Sequence, residues 1–242
     1  MNSPRIQRTI ASATGRKVLE VIVKSREEAL AAELYGADRL EVIRSPEEGG
    51  LTPEIDTVRA IVEAVSIPVR VMVRERDAME MTGREELLCL QATVRALADL
   101  PLDGLVLGFV AESMIDTDSL EKLLPAAPAC RVTFHRAFES VRDPLFALQM
   151  LKQFRQIDRI LVRLGEGAGS PQVGDLVRWQ RQAAPEIQFI AGLGLNRENI
   201  LRVREQAEIG EVHAGRLLRE PEAAWGRLSR RKFMDLKSAL VG

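Results

Sequence analysis

The sequence contains little of what marks several large classes of protein. Aromatic residues make up only 4% of the chain, so a surface that stacks the bases of a single-stranded nucleic acid is not expected. Lys and Arg total 34 against 35 Asp and Glu, and this balance creates no strong field for nucleic acid or for a membrane surface. The apolar runs fall well short of the roughly 18 residues that span a bilayer. Neither a nucleic acid nor a membrane is therefore an expected partner.

Cysteine and histidine are also scarce, with two of each in 242 residues. Cys89 and Cys130 form no CxxC pair and are too few for a disulfide framework, which indicates a reduced, cytoplasmic protein. Cys89 falls within a predicted helix, where we expect it on the buried face, and Cys130 lies at the entry to a predicted strand. The two histidines, His135 and His213, each end a short apolar run.

Short β-branched runs alternate with helical patterns from residue 18 onward. Strands are predicted at residues 18–23, 39–43, 68–73, 103–109, 131–134, 158–162, 186–192 and 210–214. A helix is predicted after each strand. The first is bounded by Ser25 and Gly36, the second opens at Pro53, the fourth begins at the N-cap Thr117, and the last fills about 221–240.

Strict β–α alternation requires a parallel sheet with right-handed crossovers. Eight such units in about 220 residues predict an α/β fold of the (β/α)8 TIM barrel type. A doubly wound open sheet is the alternative, but it often has a Gly-rich turn after its first strand, and residues 23–28 (VKSREE) contain no glycine.

No change of composition marks a domain boundary, so residues 18–242 are predicted to form a single barrel domain. Residues 1–17 are basic, contain no acid and lack the apolar centre of a secretory signal. We expect them to form a flexible N-terminal tail, with an organelle-targeting segment as the alternative.

Polar residues collect where the predicted strands end, which is the end of such a barrel that carries the active site. Alternation of side chains along each strand places Arg70, Met72 and Arg74 on one face, and Glu211 with His213 on another. The candidates in or directly after a strand are Glu20, Glu41, Arg74, Arg76, His135, Arg136, Arg163 and His213. Alternatively, the glutamates fill an interior layer with arginine partners, the histidines belong to the core, and Arg136 is a solvated loop residue.

Glycines mark the exits of the last two predicted strands. Loops at these positions bind phosphate in many barrels, because glycine allows close backbone approach and helix N-termini attract anions. Gly192, Gly194, Gly215 and Arg216 are the candidates for such a cradle, unless the glycines only make tight turns. The Gly-rich residues 164–171 could form a lid or be an ordinary loop.

Several segments together resemble the CutC family, which is named for copper homeostasis. They include EGGLTP (48–53), VTFHRAFE (132–139), AGLGL (191–195) and EVHA (211–214), and the resemblance runs from about residue 18 to 216. It implies a (β/α)8 barrel and a role in cytoplasmic copper handling, with copper as the implied ligand. Its shared polar residues fall on Glu20, Glu41, Arg74, Arg76, His135, Arg136 and His213.

The sequence departs from the family pattern at several loops. Ile43 stands where a cysteine is common, ERDAMEM (75–81) replaces a Gly-rich loop, and VRLGEG (162–167) replaces a small turn. Cu(I) prefers thiolate and thioether ligands, so the loss of that cysteine weakens the expectation of a copper site. Met72, Met79 and Met81 could supply sulfur near the mouth, although methionine is more often core filler.

Three functions remain open at this point. The first is binding of Cu(I), and the second is an enzyme acting on a small anionic or phosphorylated metabolite by acid–base chemistry. In that enzyme His135 or Glu20 would be the base and His213 the acid, with Arg74, Arg76 and Arg136 holding the anion. No lysine ends a predicted strand, which argues against a Schiff-base aldolase. The third is a non-catalytic sensor or scaffold, and for any of them we expect a homodimer.

Overall fold

The short β-branched runs form the strands of a closed barrel. The computed structural model of the chain describes residues 17–164, 171–206 and 209–241. Eight parallel strands close in chain order, which confirms the (β/α)8 barrel. They are β1 (Val18–Val23), β2 (Arg39–Val42), β3 (Val69–Met72), β4 (Gly104–Leu107), β5 (Arg131–Phe134), β6 (Ile157–Arg163), β7 (Gln188–Gly192) and β8 (Glu211–Ala214). The predicted tail, apart from Lys17, and most of the predicted lid lie outside the described residues.

Helices surround the barrel and cover the outward-facing side chains of the strands. They are α1 (Arg26–Tyr35), α2 (Ile55–Val62), α3 (Arg84–Ala98), α4 (Thr117–Leu123), α5 (Pro144–Leu151), α6 (Val173–Ala183), α7 (Arg197–Gln206) and α8 (Arg230–Val241). The caps predicted for α1 are confirmed: the Ser25 side chain accepts from the Glu28 N–H, and Gly36 is left-handed. Among the described residues no helix is both long and apolar enough to cross a membrane.

Three predicted helix starts were wrong. The second helix begins at Ile55, with Glu54 as its N-cap, rather than at Pro53. The N-cap of α4 is Asp116 rather than Thr117, because its carboxylate accepts from both the N–H and the hydroxyl of Ser119. The last helix begins at Arg230 rather than near 221, because Arg219–Glu220 pairs with Arg227–Leu228 in an antiparallel hairpin. A second short hairpin, Val110–Ala111 with Met114–Ile115, follows β4 and was not predicted.

The barrel interior is polar in its lower half and apolar nearer the mouth. Leu19, Val21 and Val23 of β1 face the helices and are fully buried, so Glu20 and Ile22 face the axis. Near the mouth, Ile22 packs against a small buried cluster of Ile43, Met72 and Val106. Deeper positions carry charged side chains.

Candidate functional site

The centre of the barrel contains two glutamates and a histidine. The parallel register places Glu20 directly opposite His213 on one side and Arg39 on the other. Nδ1 of His213 lies 2.8 Å from Oε1 of Glu20 and 3.2 Å from Oε2 of Glu41. Glu41 Oε2 is buried and makes no hydrogen bond. One imidazole nitrogen therefore faces two carboxyl groups, which cannot both accept its single proton well.

Arginines occupy the lower half of the barrel beneath this central cluster of Glu20, Glu41 and His213. Arg39 donates to Glu20 and, over 2.7 Å, to Glu211. Arg159 also donates to Glu211 and to Asp158. These contacts compensate charges that burial would otherwise penalise.

Arg70 continues this network toward the lower rim. It donates to Asp103 over 2.7 Å and to both carboxylate oxygens of Asp158, and it also donates to the hydroxyl of Thr133. Its fixed hydrogen bonds leave it little freedom to bind a ligand, so Arg70 is a structural residue.

Burial and neighbouring charges shift the pKa values of the two glutamates in opposite directions. Burial alone would raise the pKa of Glu20, but Arg39 and His213 outweigh it and hold that pKa below its usual range. Burial raises the pKa of Glu41 to about 7, because His213 compensates it only in part and Glu20 adds repulsion. The two carboxylates raise the pKa of His213 against the effect of its burial. Glu41 thus exchanges a proton near neutral pH, and His213 holds its proton more firmly than an ordinary imidazole does.

His135, which directly follows β5, has a pKa shifted in the opposite direction to that of His213. Burial, reinforced by the charge of Arg74, lowers the pKa of His135 to about 3. Its Nδ1 accepts from the Ala137 N–H over 3.2 Å, so the ring is neutral and Nε2 carries the proton. That Nε2–H is buried without a hydrogen-bond partner. His135 is therefore arranged as a donor.

Arg74, after β3, is held in place by residues of the EGGLTP segment. Thr52 accepts from the Arg74 N–H and donates to its carbonyl through the same hydroxyl. Nη2 of Arg74 donates to the Glu48 carbonyl and to Asp77 Oδ1. Gly49 has φ +77, and a Cβ there would lie 2.9 Å from Nη2. The guanidinium is thereby fixed, while its Nε–H is buried and unpartnered.

Other predicted arginines point away from the central cluster. Arg76 is half-exposed and pairs with Glu86 of α3 over 2.6 Å. Arg136 pairs with Glu139, which also accepts from the backbone N–H of Arg163. Arg163 places its Nε 3.9 Å from Glu139, without a hydrogen bond.

The predicted glycine cradle is largely occupied by the protein itself. Gly192 is packed, since a Cβ there would lie 2.9 Å from Leu161 Cδ1 and 3.2 Å from the His213 ring. The carbonyl of Gly194 accepts from the Asn199 side chain. A Cβ on Gly215 would lie 2.8 Å from Ile22, and Arg216 is exposed in a short 3-10 turn. The Asn199 N–H is capped by Asn196, so it is not free for phosphate.

Some relevant residues were missed or misjudged in the sequence. Lys24 directly follows β1, contrary to the expectation that no lysine ends a strand, but its Nζ donates to the Ala224 carbonyl. Arg39 stands at the start of β2, where its charge alone did not reveal that it would face Glu20. The signal in the sequence was that Arg39 is two residues before Glu41 on the same strand, so both side chains point to the same face.

Sulfur ligands are not gathered in the described part of the chain. Ile43 is packed among apolar side chains, and Cys130 is buried at the start of β5, the opposite end from the mouth. Cys89 is exposed on α3, so its predicted burial was wrong. Met79 and Met81 are half-buried and pack against the main core. The described residues therefore do not fit a soft Cu(I) centre.

The central cluster could instead offer oxygen and nitrogen ligands. One ligand atom from each of Glu20, Glu41 and His213 lies within 4.8 Å of the others, a set that suits a borderline divalent cation. Arg39 already neutralises the charge of Glu20, however, and the Nδ1–H of His213 donates a hydrogen bond to Glu20. A proton shared within the cluster therefore balances its charge without a metal.

Comparisons with known proteins agree with the resemblance. A family model described as the CutC family matches residues 17–217. A family protein CutC from Mesorhizobium japonicum is 36% identical over 208 residues, covering 84% of this chain and 79% of that protein. The human copper homeostasis protein cutC homolog is 32% identical over 210 residues, covering 86% and 77%.

A crystal structure assigned to the copper homeostasis protein CutC of Streptococcus agalactiae has the same fold. It superposes with a TM-score of 0.75 at 23% identity, covering 83% of this chain and 98% of that one. This likeness supports the barrel and says nothing by itself about the ligand.

Proposed function

The chain belongs to the CutC family, and we propose that it is an enzyme that moves protons on a small anionic metabolite at the barrel axis. The observation that carries this proposal is the single His213 nitrogen facing two buried carboxyls at 2.8 and 3.2 Å. A base whose pKa lies near 7 suits general acid–base catalysis at neutral pH.

Glu41 is the proposed base and His213 the proposed acid. Glu41 has an unpartnered oxygen and a pKa raised to about 7. Glu20 is a poorer base because Arg39 and His213 lower its pKa and therefore its proton affinity, and it instead orients His213 through the Nδ1–H. His135 is a poorer base because its Nε2 already carries a proton.

Access to the cluster requires movement at the mouth. Glu20, Glu41 and His213 are each at most 5% exposed, and Ile22, Ile43 and Met72 lie above them. The loops 44–52 and 75–83 follow β2 and β3 at this end of the barrel, and we propose that their outward movement admits a substrate. Closure over the substrate would exclude water and strengthen the charges inside.

Copper handling, which the family name states, is less well supported in this chain. A Cu(I) site needs soft ligands, but Cys130 lies at the end of the barrel opposite the mouth and Cys89 is exposed on α3. The charged interior suits a polar organic molecule better than a soft metal ion.

The proposed chemistry is tested by hydrogen exchange in D2O. The protein is incubated with a panel of small ketones, 2-oxo acids and sugar phosphates, and loss of the C–H signal beside the carbonyl is followed by 1H NMR. We expect catalysed exchange in at least one compound and its loss by about 100-fold or more in Glu41→Gln, the usual scale for removing a general base.

The matched control is Glu121→Gln, which changes an exposed glutamate of α4 and should exchange at the wild-type rate. Exchange that persists unchanged in Glu41→Gln and His213→Gln would contradict the proposal. So would a panel in which no compound exchanges faster than it does without protein.

A further inference from the structure

Buried side-chain atoms without hydrogen-bond partners occur at only a few places in the described residues, and these lie together at one end of the barrel. Besides Glu41 Oε2 they are three donors, namely Arg74 Nε, His135 Nε2 and Arg163 Nε. They follow or end β3, β5 and β6, and therefore belong to the C-terminal mouth. Leaving a buried donor unpaired destabilises the folded protein, so such a group marks a place where a ligand is expected.

Two of these donors belong to side chains that hydrogen bonds hold at another atom. Arg74 is held through its backbone by Thr52 and through Nη2 by Glu48 and Asp77. His135 is held by Ala137 at Nδ1. This immobility preorganises both N–H groups for an acceptor.

Gly108 packs against the ring of His135. It directly follows β4, which lies between the strands that precede Arg74 and His135. A Cβ at Gly108 would lie 2.7 Å from Nδ1 of His135, so any larger residue would displace the ring. Because β3 and β5 are both neighbours of β4, Arg74 and His135 follow strands on either side of it at the same end of the barrel, and the charge of Arg74 contributes to the lowered pKa of His135.

We propose that Arg74 Nε–H and His135 Nε2–H together form a subsite for the carboxylate group of the substrate. Two single donors match the two oxygens of a carboxylate, each of which accepts one hydrogen bond. The choice of a carboxylate over a phosphate follows from charge. Arg74 is already paired with Asp77 and His135 is neutral, so the subsite has too little positive charge for a phosphate dianion.

This inference deepens the proposed function, on which it rests only for the statement that the ligand is a substrate. The mouth lies above the Glu41–His213 pair, so a bound carboxylate would direct the rest of a small molecule toward that pair. Glycines after β7 and β8, the usual place for phosphate, are used internally here. The anion is thus expected on the opposite side of the mouth, near β3 and β5.

The test is an acetate titration of protein labelled with 15N-histidine. Only two histidines are present, so the ring of His135 is observed directly and the His213 signals report whether each variant is folded. We expect acetate to shift the His135 Nε2–H resonance saturably, while inorganic phosphate at equal ionic strength does not. Arg74→Lys removes the Nε donor and should weaken acetate binding about tenfold or more, which corresponds to roughly 1.4 kcal/mol.

Arg95→Lys, an exposed change on α3, is the matched control and should bind acetate like the wild type. For His135 itself, ligand-observed NMR compares His135→Gln, which keeps an N–H donor, with His135→Leu, which does not. Only the leucine variant should lose acetate.

Three results would overturn the subsite: no saturable shift with acetate, equal affinity in Arg74→Lys, or phosphate binding as tightly as acetate. Its failure is distinguishable from failure of the proposed function. Glu41-dependent hydrogen exchange without acetate binding would leave the chemistry and remove the subsite. Acetate binding without any exchange would leave the subsite and remove the chemistry.

Discussion

At the scale of single residues, the two histidines have pKa values shifted in opposite directions because their surroundings differ. Glu20 and Glu41 raise the pKa of His213 against its burial, whereas burial and the charge of Arg74 lower the pKa of His135 to about 3. One imidazole therefore holds a proton more firmly than usual, and the other stays neutral and can donate a hydrogen bond at all physiological pH values. Their common position at strand ends did not distinguish these roles.

The sulfur residues provide the prediction at this scale. Because Cys89 is exposed and Cys130 is buried far from the mouth, reduced protein should bind Cu(I) no more tightly than about 1 µM in an anaerobic competition with a chelator. Any residual binding should disappear in Cys89→Ser. Replacement of Met79 and Met81 by leucine should change nothing. A single tight site that survives Cys89→Ser, or that needs the methionines, would restore the copper role.

At the scale of elements, local signals predicted the strands well and the last helix poorly. β1 and α1 were predicted almost to the residue, since a β-branched run, a serine cap and a C-terminal glycine all agree there. The start of α8 was missed because Arg219–Glu220 and Arg227–Leu228 pair in a hairpin that a helical pattern does not reveal.

The sequence predicted only at which end of the barrel the candidate site lies. Strand parity identified which side chains point inward, but Glu20 and His213 are 193 positions apart. Their contact depends on the register with which β8 closes against β1, and no local pattern specifies that register. The turn of Arg76 toward Glu86 was not foreseen either, because it depends on where the loop after β3 places Arg76 beside the first turn of α3.

The loop after β2 gives the prediction for this scale. Gly49 and Gly83 both have positive φ, but only Gly49 is close to Arg74, while nothing lies within 4 Å of a Cβ at Gly83. Alanine at either site should lower the free energy of unfolding by about 1–3 kcal/mol through backbone strain, measured by urea denaturation. Gly49→Ala alone should also weaken acetate binding about tenfold. If Gly83→Ala weakens acetate equally, the loop does not act by positioning Arg74.

At the scale of the whole molecule, the barrel encloses more acid than base. Three interior arginines face five carboxyl groups, namely Arg39, Arg70 and Arg159 with Glu20, Glu41, Glu211, Asp103 and Asp158. Ionising every one of them would leave excess negative charge in a medium of low dielectric constant. A proton on Glu41 or on His213 reduces that excess, so the fold itself holds the exchangeable proton.

That charge balance also sets the expected dependence of stability on pH. Near neutral pH the folded state binds more protons at Glu41 and His213 than the unfolded chain does, because both pKa values are raised. The contribution of this pair to the free energy of unfolding therefore decreases as the pH rises through about 7.

The most direct test of the account is a pH titration of the two histidine rings by 15N NMR in wild type and Glu41→Gln. The account predicts that His213 titrates above its ordinary pKa of 6.5 and that Glu41→Gln lowers this pKa, because a carboxylate partner is lost. His135 should remain neutral down to about pH 4, consistent with its pKa of about 3. A His213 that titrates at or below 6.5, with no response to Glu41→Gln, would contradict the shared proton at the centre of the barrel.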